Sequence, residues 1–185
     1  MRIVGGTRRG RRLLAPRSAA VRPTADRVRE SLFNVLGQVL AGGDVLDLYA
    51  GTGALGLEAL SRGAERAVLV EAAAAAAELC RKNSEALDFQ EEVTVLRLPA
   101  LRAVERLARE GRRFALAFAD PPYAARAGRW VVEAVGPLLQ PGGTLVVEHD
   151  RREALPEAEG PLFRVDQRRF GDTVLSFYRA PPANP

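Results

Sequence analysis

Between residues 45 and 148, five short apolar runs alternate with four stretches of helical periodicity. This alternation limits the fold more than any other feature of the sequence. A strand that returns to a parallel neighbour needs a crossover, and a helix is the usual one. The predicted strands are 45–49, 66–70, 93–96, 114–119 and 144–148; the predicted helices are 54–62, 72–86, 101–109 and 127–139. An α/β fold follows, with a mostly parallel sheet covered by helices on both faces. Before the first run, Thr24 reads as an N-cap. Val28, Leu32, Val35, Leu36 and Val39 then recur at helical spacing up to Gly42-Gly43. After the last run, 163–170 and 173–179 flank Gly171-Asp172, a hairpin signal that predicts an antiparallel edge. That makes seven strands. Residues 2–7 and 11–15 around Arg8-Arg9-Gly10 predict a separate N-terminal β-hairpin. The expected division is a basic arm and loop over 1–23 and one domain over 24–185.

Charge singles out the same N-terminal segment. Residues 1–30 hold nine arginines against Asp26 and Glu30, a local charge of +7, while the rest of the chain sums to −3. Such asymmetry suggests a polyanionic partner. Arg2, Arg8, Arg9, Arg11 and Arg12 are the expected phosphate contacts, on an arm whose removal should leave a folded domain. A purely solvated extension is the plainer reading. The 185 residues contain no long charge-free apolar window and one cysteine, Cys80. A membrane span, a disulfide and a thiolate metal site are not expected, and neither is a secretory leader. A cytoplasmic protein is the expectation.

Ligands in sheets of this kind bind beyond the carboxyl ends of the strands. The first strand runs into Asp47-Leu48-Tyr49-Ala50-Gly51-Thr52-Gly53-Ala54-Leu55-Gly56, a G-x-G-x-x-G pattern in strand-to-helix context. Glu71 closes the next strand 18 residues after Gly53, where a ribose-binding carboxylate belongs. A nucleoside cofactor fits these residues. They leave open a dinucleotide or S-adenosylmethionine. Asp47 favours the second, because a carboxylate there can meet a methionine amino group or order the loop, and would repel a pyrophosphate. The fourth strand ends in Asp120-Pro121-Pro122-Tyr123. The prolines fix the turn. The Asp120 carboxylate and the Pro121 carbonyl can accept hydrogen bonds from one exocyclic amine, and Tyr123 offers a ring for base stacking.

Taken together, Asp47–Gly53, Glu71 and DPPY resemble a class I S-adenosylmethionine-dependent methyltransferase of exocyclic base amines. The segments RIVGGTRRGRRL, RPTADRVRESLFNVL and DLYAGTGALGLEALSRGA extend the resemblance to the RsmD family. It covers residues 1–150 closely and the C-terminal hairpin more loosely. The resemblance implies a Rossmann-like fold and methylation of guanine N2, at guanine 966, in bacterial 16S rRNA of the assembling small ribosomal subunit. It further implies a cofactor held by Asp47, Tyr49, Ala50, Gly51, Thr52, Gly53, Glu71 and Ala72, with Arg22 and Thr24 near the methionine end. Asp120, Pro121, Pro122 and Tyr123 would receive the acceptor base. No metal is implied. Where such enzymes commonly carry an adenine-binding Asp, this chain has Pro99, which leaves Leu98 and backbone contacts for that role.

DPPY also fits adenine-N6 enzymes. A nicotinamide-dependent oxidoreductase would share the glycine motif but would leave DPPY unexplained, and Lys82 is the chain's one lysine. An RNA-binding assembly factor without catalysis would need neither Glu71 nor Asp120. His149 reads as a hydrogen-bonded histidine, Cys80 as a small buried residue and Trp130 as core.

Overall fold

The computed structural model describes residues 1–16, 23–122 and 127–183 and, for 23–27, the backbone alone. The elements are α1 (Pro23–Leu36), β1 (Asp44–Leu48), α2 (Ala54–Ser61), β2 (Arg66–Val70), α3 (Ala74–Ala86), β3 (Val93–Leu96) and α4 (Ala100–Arg109). They continue with β4 (Phe114–Ala119), α5 (Gly128–Val135), β5 (Leu139–Asp150), β6 (Ala158–Glu159), β7 (Leu162–Phe170) and β8 (Thr173–Arg179). All the strands join one sheet in the order β3-β2-β1-β4-β5-β8-β7-β6. The first five are parallel and β8, β7 and β6 are antiparallel. The chain winds outward from β1 through β2 to β3, then returns to place β4 on the other side of β1. The switch point therefore falls between β1 and β4, where a crevice opens at the carboxyl ends.

Alternation along the strands sends side chains to two different cores. Leu46, Leu48, Val68, Val70, Ala117 and Val147 pack with α4 and α5. Val45, Leu116, Phe118 and Val146 face α1, where the Phe33 and Phe118 rings meet edge to face at 5.8 Å. Ala67 and Leu69 meet α2 and α3 on that same side. The parity carries on past the apolar stretch. Asp47, Asp120 and Glu148 follow Val45, Phe118 and Val146 by two residues each, so all three carboxylates emerge on the α1 side at the strand ends.

Several boundaries differ from the sequence pattern. Helix α1 begins at Pro23, so Thr24 lies in its first turn and does not cap it; proline is well suited to that first position. Helix α5 stops at Val135, because Pro137 lacks an N–H and its ring excludes the preceding turn's carbonyl. A 3-10 turn, Gly136–Leu138, follows. Pro141-Gly142-Gly143 then sits inside β5 as an irregularity, between the Phe114–Leu139 and Leu116–Thr144 pairs. The two-residue β6 makes the sheet eight-stranded; Ala158-Glu159 is too short and polar to show as a strand in the sequence.

The N-terminal hairpin has a single bridge, Arg2 to Arg12, closed by a 3-10 turn at Gly6–Arg8. It lies along α2 and α3 as part of the packed body. Ile3 is fully buried and Leu13 nearly so, among Leu57, Leu60 and Leu87. Arg8 Nε donates to the Leu87 carbonyl at 2.7 Å, with its guanidinium 4.9 Å above the Phe89 ring. Arg11 donates to the Ala86 carbonyl and pairs with Asp88 at 3.6 Å. Both arginines thus cap the carboxyl end of α3, where a cation complements the helix dipole.

Beneath the hairpin lies a fully buried carboxylate. Glu58 accepts from Val4 N at 2.8 Å and from Arg62 Nε at 2.8 Å, and Arg29 Nε stands 3.7 Å away. Arg62 also donates to Gln38 and lies 4.5 Å over the Phe33 ring. Arg29 donates to the Arg2 carbonyl at 2.5 Å. The segment expected to be a removable arm is therefore anchored at Arg2 and at Val4. Replacing Ile3 by Ala should lower unfolding free energy by about 2–5 kcal/mol, the usual result of emptying a buried aliphatic site. Denaturant unfolding checks this; a solvated arm would give no change.

Candidate active site at the carboxyl ends of the strands

Two cavities open along the crevice and share Tyr49 as a wall. The first, about 470 Å³, is lined by Asp47, Ala50, Gly51, Thr52, Asp120 and Glu148, with Val28, Arg29 and Leu32 from α1 and Met1 from the N-terminal segment. The second, about 600 Å³, is a more apolar slot between Ala72, Ala73, Leu98, Pro99, Leu101, Pro122 and Trp130, with Glu71 at one side. Each is of a size that small ligands fill.

The loop between them is fixed by its own glycines and by two carboxylates. Tyr49 has φ +62° and Gly51 φ +57°, both in the left-handed region. For a tyrosine this conformation is strained and persists only where its surroundings impose it. A Cβ built on Gly51 would meet nothing within 4 Å, so this backbone lies open to the cavity for close approach by a ligand. A Cβ on Gly56 would come within 2.4 Å of Leu69, so that glycine serves the contact of helix with sheet. Gly51 N donates to Glu71 Oε2 at 3.0 Å and Ala73 N to Glu71 Oε1 at 2.9 Å. Each of those oxygens keeps a second lone pair for a hydroxyl. Asp47 Oδ2 accepts from Gly56 N at 2.9 Å. Of the two roles foreseen for Asp47, the loop-ordering one is present, and Oδ1 remains available. Cys80, buried as expected, donates from Sγ to the Gly51 carbonyl at 3.3 Å; burial pushes its thiol up to about 12.

Two of the three carboxylates around the first cavity, Asp47 and Asp120, are held above the ordinary carboxylate range. Burial first, then the nearby Glu71 charge, raise the Asp47 carboxyl to about 7, against the Gly56 N–H that favours its anion. Burial, with Glu148 and then Asp47, also raises Asp120. Asp120 keeps solvent-exposed surface at the cavity mouth, so water moderates that rise. The register explains the pairing: Ala119 lies beside Val147, which sets Asp120 next to Glu148 across β4 and β5.

The structure brings together Asp47, Tyr49, Ala50, Gly51, Thr52, Glu71, Ala72, Leu98, Asp120 and Pro122 on the walls of the two cavities. Gly53 forms the αL entry to α2 behind them. Arg22 and Tyr123 lie outside the described residues, as does the Thr24 side chain. Glu148, Arg29 and Met1 are additional wall residues that motif reading missed. The signal for Glu148 was present, since it shares the parity of Val146 at a strand end. Trp130, expected in the core, is half-buried and lines the slot. His149 is buried and hydrogen-bonded, its Nε2 2.9 Å from Ser176 Oγ. Among the described residues, no helix is long and apolar enough to cross a membrane, and no group of three or more His, Cys, Asp or Glu could hold a metal ion.

This architecture is the class I, Rossmann-like fold of S-adenosylmethionine-dependent methyltransferases. A solved Escherichia coli structure, provisionally described as the methyltransferase yhhF, matches with a TM-score of 0.82 at 32% identity, covering 98% of each chain. A family profile described as "Conserved hypothetical protein 95" matches residues 1–179. A Bacillus subtilis relative with the provisional name of an rRNA methyltransferase, YlbH, is 36% identical over 181 residues, 97% of this chain and 98% of its own. Ribosomal RNA small subunit methyltransferase D of Escherichia coli is 41% identical over 148 residues, 80% of this chain and 71% of its own. The chain belongs to this family, the RsmD family.

The Asp47 shift has a consequence for stability. Its folded value lies above the unfolded one, so the Asp47 contribution to stability is fully present below about 4 and is lost as pH rises towards about 7, where the buried carboxyl must ionise. An upper bound for the loss is roughly 3–4 kcal/mol. In Asp47→Asn, denaturant unfolding between those pH values should lack this part of the decline.

Proposed function

We propose that the protein is an S-adenosylmethionine-dependent rRNA methyltransferase that methylates N2 of a guanine, guanine 966, in 16S rRNA of the assembling small ribosomal subunit. The observation that carries this reading is the junction at Tyr49, where an acid-lined cavity containing Asp120 meets an apolar slot flanked by Glu71. The names of the relatives support ribosomal RNA as the substrate class, and the family resemblance supports guanine N2.

The donor set fits the cofactor. Asp47 suits a cationic amino group, Glu71 suits the two hydroxyls of a ribose, and Ala72, Leu98 and Pro99 offer apolar contact to an adenine. A nicotinamide dinucleotide fits less well, since a pyrophosphate would have to lie near Asp47, Asp120 and Glu148. When bound, S-adenosylmethionine would supply an electrophilic methyl on a sulfonium, with the neutral thioether as the leaving group. The remaining work falls to the protein. An exocyclic amine is a weak nucleophile because its lone pair is delocalised into the ring. Acceptance of its two N–H hydrogens by the Asp120 carboxylate and the Pro121 carbonyl turns that lone pair towards the methyl. Fixing both reactants in one crevice removes much of the entropy of a bimolecular encounter. The new N–C bond leaves a proton to be lost, and Asp120, raised from the ordinary carboxylate range, is suited to take it.

Glu71→Ala should weaken S-adenosylmethionine binding by about 1–3 kcal/mol in calorimetric titration. Asp120→Asn should keep cofactor affinity while methyl transfer to 16S rRNA falls by about 100-fold or more. Methylation at the parent rate by Asp120→Asn would remove Asp120 from the chemistry.

The rate should rise with pH as Asp120 ionises and then level off. Asp47 and Glu148 are the acidic groups facing it, and Arg29 is a basic residue on the same cavity wall. Glu148→Gln removes the like charge that acts more strongly on Asp120, so the rising limb should move to lower pH in single-turnover assays. A rising limb unmoved in Glu148→Gln would break the link between the two carboxyls.

A further inference from the structure

The five arginines of the N-terminal segment are not equivalent. Arg8 and Arg11 are held by the carbonyls at the end of α3 and, for Arg11, by Asp88. Arg2 and Arg12 are directly opposed across the hairpin. The flanking bonds are Ile3 N to the Arg11 carbonyl at 2.9 Å and Leu13 N to the Met1 carbonyl at 3.2 Å. This pattern makes Arg2 and Arg12 a non-hydrogen-bonded antiparallel pair, the arrangement in which side chains stand closest. Their chain neighbours Ile3 and Leu13 point the other way and are buried, so alternation turns both arginines outward, and both are exposed. Neither has an acidic or carbonyl partner for its guanidinium among the described residues. Like charges directly opposite one another destabilise a strand pair.

The pair also stands next to the acid-lined cavity. Met1, one residue before Arg2, lines that cavity beside Thr52, and Arg29 of the same wall donates to the Arg2 carbonyl. We propose that Arg2 and Arg12 form a phosphodiester site for the RNA strand whose base enters this cavity, while Arg8 and Arg11 hold the hairpin in place. The proposal rests on the reading of the cavity as the acceptor-base site. Guanidinium forks match phosphate oxygens, and one phosphate seated between two of them relieves their repulsion. A site on the backbone beside the mouth positions the strand without reading sequence, and leaves base selection to the cavity.

The test compares the full chain, the double variant Arg2→Gln/Arg12→Gln, and a charge-matched control, Arg102→Gln/Arg106→Gln, on α4 across the sheet. Each is titrated with a fluorescent single-stranded RNA oligonucleotide over a salt series, with S-adenosylmethionine affinity and the thermal midpoint measured alongside. The site pair should bind RNA about 10-fold or more weakly. Its slope of log affinity against log salt should be shallower by about 0.7 per lost phosphate contact. Its midpoint should stay level or rise, because a like-charge pair is gone; a structural role would lower it. Cofactor affinity should be unchanged. Parent-like RNA affinity and slope in the site pair would overturn the proposal, and so would an equal loss in the control. Methylation of 16S rRNA by the parent is scored separately. Parent protein inactive on rRNA, with the site pair still impaired in RNA binding, would reject the proposed function and keep the phosphate site.

Discussion

The buried carboxylate of Glu58 holds one whole side of this protein together. A charge without access to water is tolerated only where hydrogen bonds and opposite charges replace its hydration. Glu58 meets that demand with groups from three segments: the Val4 amide, the Arg29 guanidinium of α1 and the Arg62 guanidinium at the carboxyl-terminal cap of its own helix. Removing one partner of such a cluster typically costs about 3–5 kcal/mol, because the remaining charge is left uncompensated. The same cluster fixes geometry. With Val4 and, through Arg29, the Arg2 carbonyl held, Met1 is carried to the wall of the first cavity, and α1 is held where Val28 and Leu32 complete that wall.

The two cavities differ in polarity. Strand parity delivers Asp47, Asp120 and Glu148 to one side of the sheet, and their crowding makes complete ionisation unfavourable until a positive group arrives. That cavity is suited to a cationic group. The slot on the other side of Tyr49 is walled by alanine, leucine, proline and tryptophan and offers area more than charge. Tyr49 stands between them in a left-handed backbone conformation that strand β1 and the glycine loop impose on it. Glu71 steadies the loop through the amides of Gly51 and Ala73, so the residue proposed to hold the ribose is itself part of the scaffold.

The parallel sheet, its antiparallel edge and the position of the crevice were legible because they follow from local rules. Apolar periodicity changes between strand and helix, glycines mark a turn that other residues resist, and DPPY cannot continue a strand. Asp47, Glu71 and Asp120 were legible because they sit at the ends of apolar runs. What escaped had no local mark. Glu148 lies beside a more conspicuous histidine. Trp130 has the helical spacing of a core residue, yet it stands half-buried on the wall of the slot. Arg29 reads as one more charge on an amphipathic helix. The two-residue β6 exists because β7 offers it an edge.

The N-terminal segment separates the two kinds of information most clearly. Sequence alone determined that it is basic, that it turns back on itself before Arg11, and that Ile3 faces away from Arg2 and Val4, since alternation is a property of any extended chain. The turn itself begins earlier than Arg8, in the 3-10 turn at Gly6–Arg8. Only the tertiary structure decided that Ile3 and Leu13 join a core, that Arg8 and Arg11 cap a helix far along the chain, and that Arg2 and Arg12 remain exposed beside a cavity. Composition fixes how much charge a segment carries. Which charges are consumed inside the fold depends on which carbonyls and carboxylates distant parts of the chain bring within hydrogen-bonding reach, and no local pattern encodes those distances.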